Sequence, residues 1–464
     1  MVSSKIRHTV QAVDEEWYGL LQPLIAELGE TFVALMPSEA KMNELQQVFF
    51  ASNHMAIPDL RPDNHDAESY VAIQNDLREL RVDISNKEAN GVVKDLYLSR
   101  IDELVLNAGM IYAAKNGDTT GFTKANQALY GMPDKAVFAA ACQWIRTQVV
   151  NVGDSVSQEL RERVLGVIPD LIADIDFIPS NDVFNKVRSL HFSQSGYFDK
   201  LFEGCDLPDD ELYSPYNSDN IVKRAIYNVG SDYGLTDSPV GLWAVLQSKG
   251  QVIRPVDFSL TKQAFMGIVG HEVGSHLLEA TNGAHSQLRL LESGLDHYEV
   301  GNEGRAVIRE QIVYKRAQDY IDQPGWSPTK ASWEYRVAIH IAVSLAAGLH
   351  KRSYNFTEVY QVLTALFEFW TAKRGLPVGQ YVIEQGAWNM AVRALKGTNG
   401  EGGAYYKDIV YLEGNVRCWR VAKRQPEMIL WGDSGKFDIT NDRHVDALKR
   451  LGILPNNLND TLDS

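Results

Sequence analysis

A chain of 464 residues, 45% apolar and 23% charged, is long enough to bury a sizeable core, which excludes a disordered chain, a collagen-like chain and a coiled-coil rod. Lys plus Arg number 45 and Asp plus Glu 60, a formal charge of −15 that argues against nucleic acid and anionic membrane as partners, since both need basic surface. Three scattered cysteines, Cys142, Cys205 and Cys418, make neither a disulfide framework nor a CxxC pair, so free thiols in a reducing compartment are expected.

The N-terminus (Met-Val-Ser-Ser-Lys-Ile-Arg-His) has no apolar signal-like core, and the longest apolar stretch, Ala338 to Leu349, falls short of the ~20 residues a membrane span needs. The expected location is therefore cytoplasmic. Residues 1 to about 50 have helical apolar spacing, with Trp17, Leu20, Leu21, Leu24 and Ile25 on one stripe. Ile57 to Asp66 holds two prolines and several Asp and Asn, which marks a linker. An N-terminal helical segment over 1–66 and a second domain over 67–464 follow. Glu68 to Ala114 is again helical and ends in the polar turn Lys115 to Thr120. Pro208 to Asp219 is expected as a loop, and Trp243 to Ile253 as a hairpin turning at Lys249-Gly250. Helices are expected over Ser259 to Thr281, Glu303 to Asp319, Glu334 to His350 and Thr357 to Lys373. After the turn Asn399 to Gly403, the run Tyr411 to Arg420 is rich in β-formers, and the tail is helix-like. The fold class is α+β, mainly α, with small β elements.

The sharpest chemical signal is Gly270-His271-Glu272-Val273-Gly274-Ser275-His276, set in an apolar helical pattern. Histidine offers imidazole nitrogen to zinc, and an adjacent glutamate can take a proton from a zinc-activated water. The usual zinc helix spaces its histidines i, i+4. Here the spacing is i, i+5, which at ~100° per residue turns them ~140° apart on a regular α-helix. One extra residue in the turn, a π-bulge, would bring them together, and Gly274 offers a cheap place for the distortion. A third ligand should lie downstream, among Glu292, Asp296, His297, Glu299, Glu303 and Glu310. Glu303 is the best placed, because Gly304 beside it leaves room for close approach to the zinc helix.

These residues resemble the microtubule-associated tyrosine carboxypeptidases and their bacterial relatives, the QEGLA-motif proteins. That family pairs an HExxxH zinc motif with a Glu-Gly some thirty residues on, as His271 to His276 and Glu303-Gly304 do here. Arg100 to Leu104, Leu129 to Pro133, Gly403 to Gly414 and Leu451 to Pro455 also resemble family segments, so the likeness spans roughly residues 70 to 464. It implies a zinc metallopeptidase core over 67–464, with Zn2+ on His271, His276 and Glu303 and with Glu272 as general base. The family's Gln-Glu-Gly-Leu-Ala reads Asn302-Glu303-Gly304-Arg305-Ala306 here, which places a charge beside the expected ligand. Residues 1 to 70 hold four basic and eleven acidic residues, a balance that repels acidic tubulin tails. A protein or peptide C-terminus is the expected substrate, and tubulin is doubtful as one.

A carboxypeptidase needs a cation for the terminal carboxylate. Arg254, before the zinc helix, is the first candidate. Lys262, Lys351, Arg352 and Lys407 are the others. Tyr298, Tyr405 and Tyr406 are candidate oxyanion donors, and His297 a candidate partner behind a ligand. A zinc endopeptidase or aminopeptidase and a non-enzymatic zinc-binding protein are the competing readings. The dipeptidyl peptidases of the third kind share the HExxxH spacing, but their glycine directly precedes the second histidine, where this chain has Ser275.

Overall fold

This computed structural model describes residues 12–209, 211–238, 243–322 and 332–455, and most of them are helical. Among those residues the strands form one small three-stranded sheet, so the fold is α+β and mainly α.

The N-terminal segment is built into the rest of the chain. Helix α1 (Glu15–Leu28) buries Trp17, Leu21 and Leu28 in the same apolar cluster as Leu77, Leu80 and Ile84. Helix α2 (Glu39–Ala51) puts Phe49 into a second cluster, where Leu60 joins it. Asp14 ties the segment down, accepting hydrogen bonds from the Leu290 amide at 3.0 Å and the Tyr97 hydroxyl at 2.8 Å. Over 15–51 one window reaches a mean hydropathy of 1.2, but α1 has 14 residues and α2 has 13, each shorter than the ~20 a span needs.

The helical stretch expected from Glu68 to Ala114 is two helices, α3 (Ala67–Lys87) and α4 (Gly91–Lys115), and the Asn90 side chain caps α4 by accepting from the Val92 and Val93 amides. Helix α5 (Lys135–Asn151) follows. The loop expected over Pro208 to Asp219 gives way to a helix, Pro215–Asn228, which Ser214 and Asn217 cap reciprocally.

The sheet contains β1 (Gly234–Ser238), β2 (Ala244–Leu246) and β3 (Gln251–Pro255) in the order β1-β3-β2. β2 and β3 are the expected antiparallel hairpin, with Val245 opposite Val252 and Gly250 turning at φ 58°. β1 was not expected, because Gly, Asp and Ser are poor strand formers. It pairs parallel to β3, with Asp237 opposite Arg254.

The chain then forms α6, a composite helix running Lys262–His271, Glu272–Leu277 and Leu278–Ala284, and α7 (Glu299–Ile312). Helices α8 (Trp333–Ala346), α9 (Phe356–Lys373) and α10 (Gln380–Leu395) make most of the second cluster. Tyr411 to Arg420 is not a β run but part of helix α11 (Ile409–Arg424). Its Ile409, Leu412, Val416 and Trp419 are spaced three, four and three apart and are buried, a helical face despite the β-forming residue types. Ile409, Leu412 and Val416 face the second cluster and Cys418, Trp419 and Ala422 the first, so α11 joins the two cores. Helix α12 (Asp442–Arg450) closes the described chain. Cys142, Cys205 and Cys418 are free thiols.

Candidate metal centre

Helix α6 starts at Thr261, whose side chain accepts from the Ala264 amide, and its Phe265, Val269, Val273 and Leu277 are buried in the core. From Glu272 to Leu277 the helix widens to a π-turn. This supplies the extra residue that the i, i+5 spacing demands. His271 Nε2 and His276 Nε2 come to 3.2 Å from each other, where a regular α-helix would splay them.

Side chains satisfy the backbone carbonyls that the widened turn disturbs. Gly270 oxygen accepts from Ser275 Oγ at 3.1 Å and from the Tyr197 hydroxyl at 3.4 Å. Gly274 oxygen accepts from Arg309 Nη1 at 2.5 Å. A Cβ on Gly274 would lie 1.8 Å from the Tyr197 oxygen. The glycine is therefore required for space rather than for a special backbone angle. Arg309 lies over the Tyr197 ring, 4.0 Å from its centroid, and pairs with Asp433 at 2.5 Å.

The third side chain comes from α7. Glu303 Oε2 lies 3.4 Å from His271 Nε2 and 3.4 Å from His276 Nε2, and it is buried without a hydrogen bond. Tetrahedral ligand atoms at zinc distances of ~2.0–2.1 Å stand ~3.3–3.4 Å apart, so this near-equilateral triangle fits such an ion. Two imidazole nitrogens and a carboxylate oxygen also form the donor set of a catalytic zinc site with one position left open. Gly267 lets α6 and α7 approach, since a Cβ there would sit 3.3 Å from Glu310 oxygen. Gly304 serves a different contact from the one expected. A Cβ on it would lie 2.2 Å from the Gly414 backbone, so it admits α11, not α6.

The charge expected beside the ligand at Arg305 also points elsewhere. Two residues turn an α-helix by ~200°. Arg305 is buried against Glu279 and Asp433, away from the triangle.

Glu310 is not part of the triangle but stands behind His271. Its carboxylate lies 2.5 Å from His271 Nδ1, and Arg336 at 2.7 Å and the Tyr320 hydroxyl at 3.0 Å hold it there. Glu272 faces the triangle without joining it, its Oε1 4.0 Å from His271 Nε2. With His271 and His276 neutral, as metal binding requires, Glu272, Glu303 and Glu310 against Arg336 leave two negative charges, which suits a divalent cation. Burial opposes charge on His271, but Glu310 with Glu303 and Glu272 overrides it and raises that imidazole's pKa to about 10. Burial likewise raises Glu272 above the ordinary glutamate value. Glu303 is held well below that value, because His276 and His271 outweigh its burial.

The other expected residues divide into two groups. Arg254 is buried between Asp219 at 3.1 Å and Asp237 at 2.7 Å, which accounts for its cross-strand position. Lys262 bonds Asp209 and Leu207 oxygen at 2.6 Å, nine residues or ~13 Å of helix before His271. Arg352 pairs with Glu358 in the first turn of α9. Asp296 pairs with Arg443 and His444, and His297 Nδ1 bonds Leu129 oxygen at 2.8 Å. Tyr405 and Tyr406 are buried, the former 3.3 Å from the Tyr130 hydroxyl. Tyr298 and Lys407 lie within electrostatic reach of each other and of Glu299, one turn before Glu303 on the same face of α7.

Sequence reasoning missed the supporting roles of Glu310, Arg309, Tyr197 and Asp433, and it missed Tyr411, whose pKa burial and Glu303 raise. Glu310 had a signal, because seven residues after Glu303 is two helical turns on one face. Comparison with models of known protein families, with curated proteins and with solved structures finds no match.

Proposed function

We propose that this protein is a zinc-dependent metallopeptidase that removes residues from the C-terminus of a protein or peptide. The observation that carries the reading is the 3.2, 3.4 and 3.4 Å triangle of His271, His276 and Glu303, with Glu272 beside it and outside it. A purely structural site has no use for a buried, unshared carboxylate next to its first ligand. The assignment to the C-terminus rests on the sequence resemblance.

His271 Nε2, His276 Nε2 and Glu303 would hold a zinc ion, which would supply Lewis acidity for the attacking water and the scissile carbonyl. Glu272 carries the proton. Its carboxylate takes it from the attacking water and returns it to the leaving amine, so it begins and ends ionised. Burial raises its pKa above the ordinary glutamate value, which makes it a stronger base. Glu310, its carboxylate 2.5 Å from Nδ1, would favour the tautomer that turns the Nε2 lone pair to a metal and would fix the ring's orientation. Tubulin is not proposed as the substrate, because the acidic N-terminal segment opposes it.

The test is hydrolysis of a peptide pool by the purified protein as isolated, after chelator treatment, and after zinc is restored. Loss and recovery of cleavage in step with bound zinc supports the reading. Cleavage that survives complete zinc removal overturns it.

A further inference from the structure

Away from the metal centre, on the second apolar cluster, residues 169–179 run between two prolines, Pro169 and Pro179, without forming helix or strand. Their burial nevertheless alternates with the period of a β-strand. Ile172, Asp174 and Asp176 are exposed, Ile172 at 92%, while Ala173 and Ile175 are half-buried and Phe177 is buried. Among the described residues, no backbone group of 169–179 bonds another backbone group. The stretch is strapped to α5 by side chains instead. The Ala173 amide donates to Gln143 Oε1 at 2.7 Å, and Arg146 pairs with Asp170 at 3.2 Å.

A pocket of about 450 Å³ separates this stretch from α5. That volume lies within the ~300–1,000 Å³ typical of ligand sites. One wall is a single helical face of α5, with Ala140, Gln143, Trp144 and Thr147 spaced three, one and three apart. The other wall is Ala173 to Ile178. Ring contacts fix the two walls to each other and to the core. Trp144 meets Phe177 edge-on, with centroids 6.2 Å apart, and Phe177 stacks on Trp333 at 5.2 Å.

The chemistry of these walls selects the occupant. Asp174 and Asp176 both line the pocket, are exposed and make no ion pair among the described residues. The half-buried Trp144 indole beside them is the ring type that best holds a cation. A strand edge with unpaired backbone groups takes an extended peptide by main-chain hydrogen bonds, and alternate side-chain pockets then set its sequence.

We infer that the groove between α5 and residues 173–178 binds an extended, basic segment of another protein. The segment's backbone pairs with the edge at Asp174 to Phe177, and a Lys or Arg enters the pocket between Trp144 and the two aspartates. This does not depend on the metallopeptidase reading.

The test uses a labelled eight-residue peptide alternating Lys and Val, acetylated and amidated at its ends, with a Glu-for-Lys version as control. Equilibrium binding is measured on the full-length protein and on its Asp174→Asn/Asp176→Asn variant. Both substitutions are at exposed positions, and equal melting temperatures of the two proteins check that the fold is kept. The basic peptide should bind at least about tenfold more tightly than the acidic one, and the double variant should abolish the difference. Hydrogen exchange should slow at the amides of residues 173–178 when the basic peptide is bound. Failure of the basic peptide to bind overturns the proposal. So does a preference that survives the double substitution, which would be general attraction to a chain of charge −15. Binding that leaves those amides unprotected also overturns it, because the groove would then capture a cation and not a strand.

Discussion

Glu310 holds His271 from behind, its carboxylate 2.5 Å from Nδ1, while Nε2 of the same ring lies 3.4 Å from Glu303. Both acids come from one face of α7, two turns apart, so a single helix supplies the carboxylate of the triangle and the group that orients one of its histidines. Glu310→Gln should therefore weaken zinc binding by ~10–100-fold, measured by competition with a chromogenic chelator. It also leaves the buried Arg336 without its acid, and breaking such a pair costs roughly 3–5 kcal/mol in denaturant unfolding. Unchanged zinc affinity in a folded Glu310→Gln protein would contradict this role.

The π-turn fits because Gly274 has no Cβ to meet the Tyr197 hydroxyl. Gly274→Ala should cost roughly 3 kcal/mol by overpacking. Removing the hydroxyl by Tyr197→Phe leaves ring carbon Cζ as the nearest Tyr197 atom, 3.0 Å from the new methyl. The double variant should recover about 1 kcal/mol or more relative to additive losses, a coupling that thermal or urea unfolding of all four proteins measures. Strict additivity would show that the two residues do not meet as described.

Arg309 donates to Gly274 oxygen from within a buried network with Asp433 and Tyr197. Arg309→Met keeps much of the volume and removes the donor. It should destabilise by roughly 3 kcal/mol and loosen zinc, read together as a lower melting temperature and a faster zinc off-rate. Lower stability with an unaltered zinc off-rate would confine Arg309 to packing.

Asp296 couples the loop before α7 to α12 through Arg443 and His444, the latter at 3.4 Å. Burial pushes its pKa up, but those two partners prevail and hold it below the ordinary value of 3.8. A lowered carboxyl pKa stabilises the fold above the unfolded-state value and loses that effect as pH falls through the folded one. Asp296→Asn should therefore cost roughly 1–3 kcal/mol at pH 7, with the deficit shrinking as pH drops below about 4. A deficit that stays constant from pH 7 to pH 3 would count against the ionic account.

How legible the site was depended on how local each signal is. The HExxxH spacing on an apolar helix forced a choice between diverging histidines and a widened turn, and the widened turn is present over Glu272–Leu277. Glu303 was singled out by the glycine beside it and by the family resemblance, although Gly304 in fact makes room for α11. The residues that hold the turn open could not, because Tyr197, Arg309 and Asp433 lie 77, 35 and 159 residues from Gly274 in the chain, with nothing in local pattern to connect them. Tyr411 to Arg420 was misread as β because Val, Tyr and Trp favour strands locally, whereas the buried spacing and the Gly304–Gly414 contact settle it as helix. β1 has little strand character of its own and exists because β3 offers it an edge.

The most direct test is a mass-spectrometric digest of pooled peptides with varied C-termini by zinc-loaded wild-type protein and by its Glu272→Gln variant, with bound zinc measured on both. The expected result is about one zinc on each protein, with single C-terminal residues lost in the wild-type digest only. Equal digestion by the two proteins, or full zinc occupancy with no cleavage of any peptide by the wild type, would contradict the assignment of His271, His276, Glu303 and Glu272 to a peptidase centre.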